Sequence, residues 1–156
     1  MAIHVVLVEP EIPPNTGNIA RSCAATETVL HLVKPLGFSI DDKALKRAGL
    51  DYWPYVDLRV HENLDEFMSG MKGKSLYFIT TKGERLYTEI SYKDEDILIF
   101  GKETKGLPLS LINENKERAL RIPMSPDTKS RSFNLSNAVN IVLFEALRQL
   151  GFKNMT

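Results

Sequence analysis

The chain opens on an unbroken apolar run, Ile3 to Val8, that stops at Glu9-Pro10. Such runs predict strands covered on both faces, as in a parallel sheet flanked by helices. Pro10, Pro13 and Pro14 forbid continuation, and Asn15 or Thr16 is placed to cap a helix carrying Ile19, Ala20, Cys23 and Ala24. Val29 to Val33 reads as a second strand ended by Lys34-Pro35, completing a β-α-β unit. Asp41 to Ala48 predicts a short charged helix stopped by Gly49, Val56 to Val60 a weak strand, and Leu64 to Met71 a helix. Leu76 to Thr80 and Ile97 to Phe100 are strong strands, separated by a polar excursion through Gly83 and Tyr92. Leu107 to Ile112 is a short helix with Pro108 in its first turn, and Leu120 to Pro123 a last strand.

The clearest helix follows Ser132-Phe133-Asn134 and ends at Gly151. Asn134 suits the N-cap, with Phe133 before it as a hydrophobic staple. At about 100° per residue, Leu135, Ala138, Val139, Val142, Leu143, Ala146, Leu147 and Leu150 form one stripe, with Asn134, Asn137, Glu145 and Arg148 opposite. Ile141 and Phe144 fall among the polar positions, either as isolated surface residues or as a second packing surface such as a subunit interface. Strands alternating with helices predict an α/β fold, a mainly parallel sheet flanked by helices, with its ligand site at the carboxyl ends of the strands.

A chain of 156 residues suits one domain, 1–156, with one core. Hydrophobic residues make up 43% and charged residues 26%, as in soluble globular proteins, and no apolar run approaches the ~20 residues of a membrane span. The N-terminus lacks a basic segment and a cleavage site, so a cytoplasmic location is expected. Cys23 stands alone, and His4, His31 and His61 have no Cys or His neighbours at metal-ligand spacing, so no metal site is expected. With 20 basic and 20 acidic residues, any RNA contact must use local clusters of charge.

Three polar, glycine-containing loops follow predicted strands: residues 13–18 with Arg21 behind them, residues 100–108, and residues 122–136. Glycine permits close backbone approach, and Asn and Ser offer donors and acceptors without charge. The dinucleotide fingerprint and the P-loop are both missing, which removes the usual phosphate cradles. A lone Cys on an apolar helix face packs rather than attacks.

At these loops the sequence resembles the SPOUT superfamily of knotted RNA methyltransferases, and within it the branch that 2′-O-methylates the wobble nucleotide of tRNA. The resemblance is carried by Glu9-Pro10-Glu11-Ile12-Pro13-Pro14-Asn15-Thr16-Gly17-Asn18 with Arg21, by Asp41-Asp42-Lys43 with Arg47-Ala48-Gly49-Leu50-Asp51-Tyr52, and by Thr80-Thr81-Lys82-Gly83. It continues through Phe100-Gly101 with Glu103-Thr104 and Gly106-Leu107-Pro108, through Arg121-Ile122-Pro123-Met124, and through Asn134-Leu135-Ser136-Asn137-Ala138.

The resemblance implies a C-terminal deep trefoil knot, in which S-adenosylmethionine lies against Ile79, Thr80, Gly101, Glu103, Ile122, Met124, Ser132 and Asn134. It implies a reaction centre of Arg21, Asn15 and Ser132. Arg21 is expected to orient the target and stabilise charge, because a guanidinium is a poor proton acceptor. A side chain at Gly101 would collide with a close ligand, and Ile79, Ile122 and Met124 can sandwich an adenine. Lys43, Arg47, Tyr52, Lys105 and Arg131 are the expected contacts to a tRNA anticodon stem-loop, with Lys46, Trp53, Lys102 and Lys129 nearby in sequence. The C-terminal helix, through Ile141 and Phe144, is the expected homodimer interface. A non-catalytic RNA-binding or regulatory protein on the same fold, and 2′-O-methylation of another RNA such as rRNA, remain open at this point.

Overall fold

The structure, a computed structural model, describes residues 2–43, 45, 47, 52–127, 129 and 131–156. Its strands are β1 (His4–Val8), β2 (Val29–Val33), β3 (Leu58–His61), β4 (Leu76–Ile79), β5 (Arg85–Leu86), β6 (Ile97–Phe100) and β7 (Ala119–Arg121). Its helices are α1 (Pro13–Thr26), α2 (Leu64–Gly70), α3 (Leu109–Glu114) and α4 (Leu135–Gln149), with a 3₁₀ turn at Trp53–Tyr55. The strands form one parallel sheet in the order β3-β2-β1-β6-β4-β7-β5.

Alternation along the strands divides the core in two. Val5, Leu7, Leu30, Leu32, Leu98 and Phe100 face α1 and α4, where Ile19, Cys23, Val139, Val142 and Leu143 complete one cluster. Val6, Val8, Val33, Phe78 and Ile99 face the other way, against Phe67 of α2 and Leu111 and Ile112 of α3. Both faces of β1 are therefore apolar, which is why that strand reads as a continuous run.

Local chemistry differs from expectation at three points. Pro13 and Pro14 occupy the first positions of α1 instead of merely ending what precedes it, and Ile12 stands at the N-cap without a side-chain bond. A proline lacks the N–H that a first turn leaves unpaired, so it starts a helix without loss. Asn15 and Thr16 are thus inside the helix and free of capping duty. Pro108 likewise stands one residue before α3, at its N-cap. The polar excursion through Gly83 contains β5, whose two residues are too few to show a period. Lys43, Leu45 and Arg47 are helical, whereas Lys46 and the expected stop at Gly49 lie outside the described residues.

β5 defines the crossing that matters for the site. Ile79 and Arg85 stand in register with the same residue, Leu120, on its two sides. Residues 80–84 therefore leave β4 on one flank of β7 and return on the other, arching over its carboxyl end. Gly83 lies so close beneath that a Cβ would be 2.6 Å from the carbonyl carbon of Leu120. The Arg121 guanidinium donates to the carbonyls of Gly83 at 3.4 Å and Glu84 at 3.0 Å, fastening the arch.

Far from this crossing, the three histidines form a column. His4 Nδ1 lies 2.9 Å from His31 Nε2, and His31 Nδ1 lies 2.9 Å from His61 Nε2. His4 Nε2 donates to Glu95 at 2.6 Å. With every ring protonated on Nε2, His61 donates to His31, His31 to His4 and His4 to Glu95, so one tautomer serves all three hydrogen bonds of the column. Phe67 packs edge-on against His31 and His61. Burial first, then the facing His4 and His61, pushes His31 down to about 3. The sequence spacing gave no sign of this, because the neighbours come from three strands.

Candidate active site

The arch, the carboxyl end of β6 and the segment before α4 enclose a cavity of about 390 Å³. Its apolar wall is Ile79, Phe100, Leu107, Ile122, Leu135 and Ala138, and its polar groups include Thr80, Glu103, Ser132 and Asn134. Small-molecule sites are commonly ~300–1,000 Å³, mostly apolar with a few fixed polar groups.

A hydrogen-bonded relay fixes those polar groups. Glu103 accepts from the backbone N–H of Glu11 at 2.8 Å and of Ile12 at 2.9 Å, and from Asn15 Nδ2 at 3.2 Å. Its carboxylate thus faces the N-terminal end of α1, where negative charge is favoured. Glu11 returns the contact, accepting from the Thr104 hydroxyl at 2.7 Å and the Thr104 N–H at 3.0 Å. Those bonds hold Glu11 below the usual carboxylate range. Asn15 Oδ1 accepts from Asn134 Nδ2 at 3.1 Å, while Asn134 Oδ1 accepts from the N–H groups of Ser136 and Asn137 and caps α4. Asn15, in the first turn of α1, therefore links the loops after β6 and before α4, and Glu103 ties in the loop before α1.

Gly101 lines this cavity, and its own chain already excludes a side chain there. A Cβ there would stand 2.1 Å from the carbonyl carbon of Gly106, where the loop folds back and the Gly106 N–H donates to Lys102 O at 2.9 Å. Gly106 itself has a φ of +67°, which suits glycine. The pair closes residues 101–107 into a tight turn.

All eight residues expected around a cofactor line the cavity, as do Asn15, Lys105 and Arg131. Lys43, Arg47 and Tyr52 do not. Arg21 is exposed on α1 away from the cavity lining, with its guanidinium carbon 4.8 Å from the centroid of the Tyr52 ring. Trp53 packs against the main core. Sequence reasoning passed over Leu107, Ile112, Leu135 and Ala138 as cavity walls; the first two looked like ordinary core, and the last two belong to the apolar stripe of α4. Phe133, expected as a staple for α4, is 41% exposed and lines the cavity. Cys23 is buried and its thiol is pushed up to about 12 by that burial, so it is inert packing.

The sequence profile described as the SpoU rRNA Methylase family matches residues 2–144. The chain belongs to the SpoU methylase family. Among SpoU relatives, the tRNA (cytidine(34)-2′-O)-methyltransferase of Escherichia coli strain K12 is 50% identical over 151 residues, covering 96% of this chain and 95% of its own. A structure described as giving insights into the 2-OH methylation of C/U34 on tRNA superposes with a TM-score of 0.91 at 42% identity, over 96% of this chain and 97% of that one. The AdoMet-bound rRNA methyltransferase of Sinorhizobium meliloti superposes with a TM-score of 0.85 at 26% identity, over 96% of this chain and 57% of that one.

Proposed function

We propose that this SpoU protein transfers the methyl group of S-adenosylmethionine to the ribose 2′-OH of the wobble nucleotide, position 34, of tRNA. The observation that carries the reading is the near-complete match, at 50% identity, to a relative named for that reaction. Methylation of rRNA, which the family description names, is disfavoured by the same match.

The cavity fits the cofactor by its donor set. Ile79, Ile122 and Met124 offer apolar faces for a purine, and Thr80, Ser132 and Asn134 offer hydroxyl and amide partners for ribose and amino-acid groups. When bound, S-adenosylmethionine supplies an electrophilic sulfonium methyl. The chain's own residues orient what meets it. Glu103 holds Asn15, and Asn15 holds Asn134, so the polar wall is preorganised before substrate arrives. Ser132, exposed and lining the cavity, is our candidate to accept a hydrogen bond from the 2′-OH. Lys105 and Arg131 bring charge to the mouth for the anticodon-loop phosphates, with Lys43 and Arg47 as outlying contacts. Arg21 presents five N–H donors that bind a phosphate or a 2′-oxygen bidentately.

Arg21 lies off the cavity lining of its own chain, which supports a homodimer in which one subunit's Arg21 serves the other's cavity. Phe144 is 43% exposed and Ile141 half-buried on the outer side of α4, as a packed helix–helix interface would require. We read residues 1–156 as one domain, and the arch of residues 80–84 over β7 supports a trefoil knot closed by the segment that follows. No helix among the described residues is long and apolar enough to cross a membrane. We read the protein as cytoplasmic from its proposed tRNA substrate. Incubation with labelled S-adenosylmethionine and tRNA lacking the modification tests the function: one labelled ribose at position 34 is expected, and label confined to rRNA would move the protein to another branch of the family.

A further inference from the structure

The notable feature of Arg21 is what it lacks. Among the described residues its guanidinium makes no hydrogen bond and no ion pair; its one recorded partner is the Tyr52 ring, 4.8 Å away. An exposed arginine on a helix otherwise samples many rotamers, and each must be given up when a substrate is bound. Tyr52 is a suitable platform because it is itself fixed. Its carbonyl accepts from the Tyr55 N–H at 2.9 Å, and the turn it opens is anchored by Trp53 and Val56 packing on the main core. The guanidinium carbon stands over the ring, a contact that uses none of the N–H donors and leaves them available.

We propose that Tyr52 is a positioning residue for Arg21, presenting the guanidinium edge-out to the target phosphate or 2′-oxygen, and is not itself a stacking contact for an RNA base. The proposal rests on the reading of Arg21 given above. A base stacks on an open ring, and the ring of this turn that is open is Tyr55, which is 77% exposed. Tyr55 thus takes the RNA contact that the sequence alone assigns to Tyr52, and Tyr52 serves Arg21.

A double-mutant cycle on the full-length protein tests this, reading turnover and KM for unmodified tRNA in single-turnover and steady-state assays. A cation–π contact at an exposed site corresponds to about a two- to fivefold effect. Tyr52→Leu is expected to lower turnover by that factor with KM for tRNA unchanged, Tyr52→Phe to restore most of it, and Tyr52→Leu to add nothing in an Arg21→Ala background. Equal losses from Tyr52→Leu in both backgrounds, or a loss confined to KM, overturns the proposal and makes Tyr52 an RNA contact. Wild-type turnover in Arg21→Ala overturns the reading of Arg21 and this proposal with it, whereas a large loss there with no coupling to Tyr52 overturns the proposal alone. Should Tyr52→Leu melt well below the parent, Tyr52→Gln, which removes the ring but can keep the polar rim of the turn, replaces it in the cycle.

Discussion

Two relays of polar side chains run through this molecule, and only one of them makes a site. Glu103, Asn15 and Asn134 join three loops at the carboxyl ends of the strands, while Glu95, His4, His31 and His61 run across β1, β2 and β3. The histidine column is closed: one tautomer pairs every ring nitrogen but His61 Nδ1, and Phe67 seals it. The loop relay is fixed but not used up, since its members line a cavity in which Thr80, Ser132 and their neighbours still face a ligand. Buried polar groups mark function when they are held and yet left with something to do.

The largest effect should separate the relays from the chemistry. Arg21→Ala is expected to cut turnover by ~10²-fold or more while leaving cofactor affinity and melting temperature near the parent values, as loss of a preorganised donor does. Next is the interface. Phe144→Glu removes an apolar contact twice over in a two-fold dimer and should weaken association by about 3 kcal/mol or more, read as a shift toward monomer in sedimentation, with methylation lost alongside. A Phe144→Glu protein that stays dimeric at sub-micromolar concentration would remove α4 from the interface.

The column is probed by acid. His31 is pushed down to about 3 when folded and His61 is also lowered, both first by burial, so the unfolded chain binds more protons below its ordinary pKa of ~6.5. Stability from the column is therefore complete above pH ~6.5 and is lost as pH falls toward the folded values. Between pH 6.5 and 4.5 the melting temperature should drop by ~5–10 °C. Glu95, held low by its bond to His4, adds to the loss below its ordinary value. A flat profile, or a His31 imidazole that titrates near 6.5 by NMR, would break the column as drawn. The smallest effect sharpens the loop relay: Asn134→Ala removes the cap of α4 and the contact to Asn15, costing about 1 kcal/mol or ~2–4 °C, together with a clear fall in S-adenosylmethionine affinity by calorimetry.

The contrast also explains what the sequence could say. β1, β2, β4 and β6 were legible because strands buried on both faces are mostly apolar, with His4 and His31 as exceptions in β1 and β2, and α4 because Asn134 and its stripe agree on where it starts. The eight residues expected around a cofactor were singled out through ordered loop motifs, and all eight line one cavity. β5 was not, being two residues held in place by β7 on its flank. Gly101 was singled out as a close-approach position, but the Gly106 backbone that excludes a side chain there comes from a turn no local pattern predicts. The histidine column depends on the strand order β3-β2-β1, which a single sequence does not encode in its spacing. Arg21 and Tyr52 were each singled out, but their pairing is tertiary.

The central claim is that the cavity between the arch of residues 80–84, the 101–107 turn and the segment before α4 is the cofactor site. A crystal structure of the protein grown with S-adenosylmethionine tests it most directly. The account predicts the ligand in that cavity, its purine between Ile79 and Ile122 and its polar groups on Thr80, Ser132 and Asn134. Ligand ordered elsewhere on a protein that still methylates tRNA would contradict it.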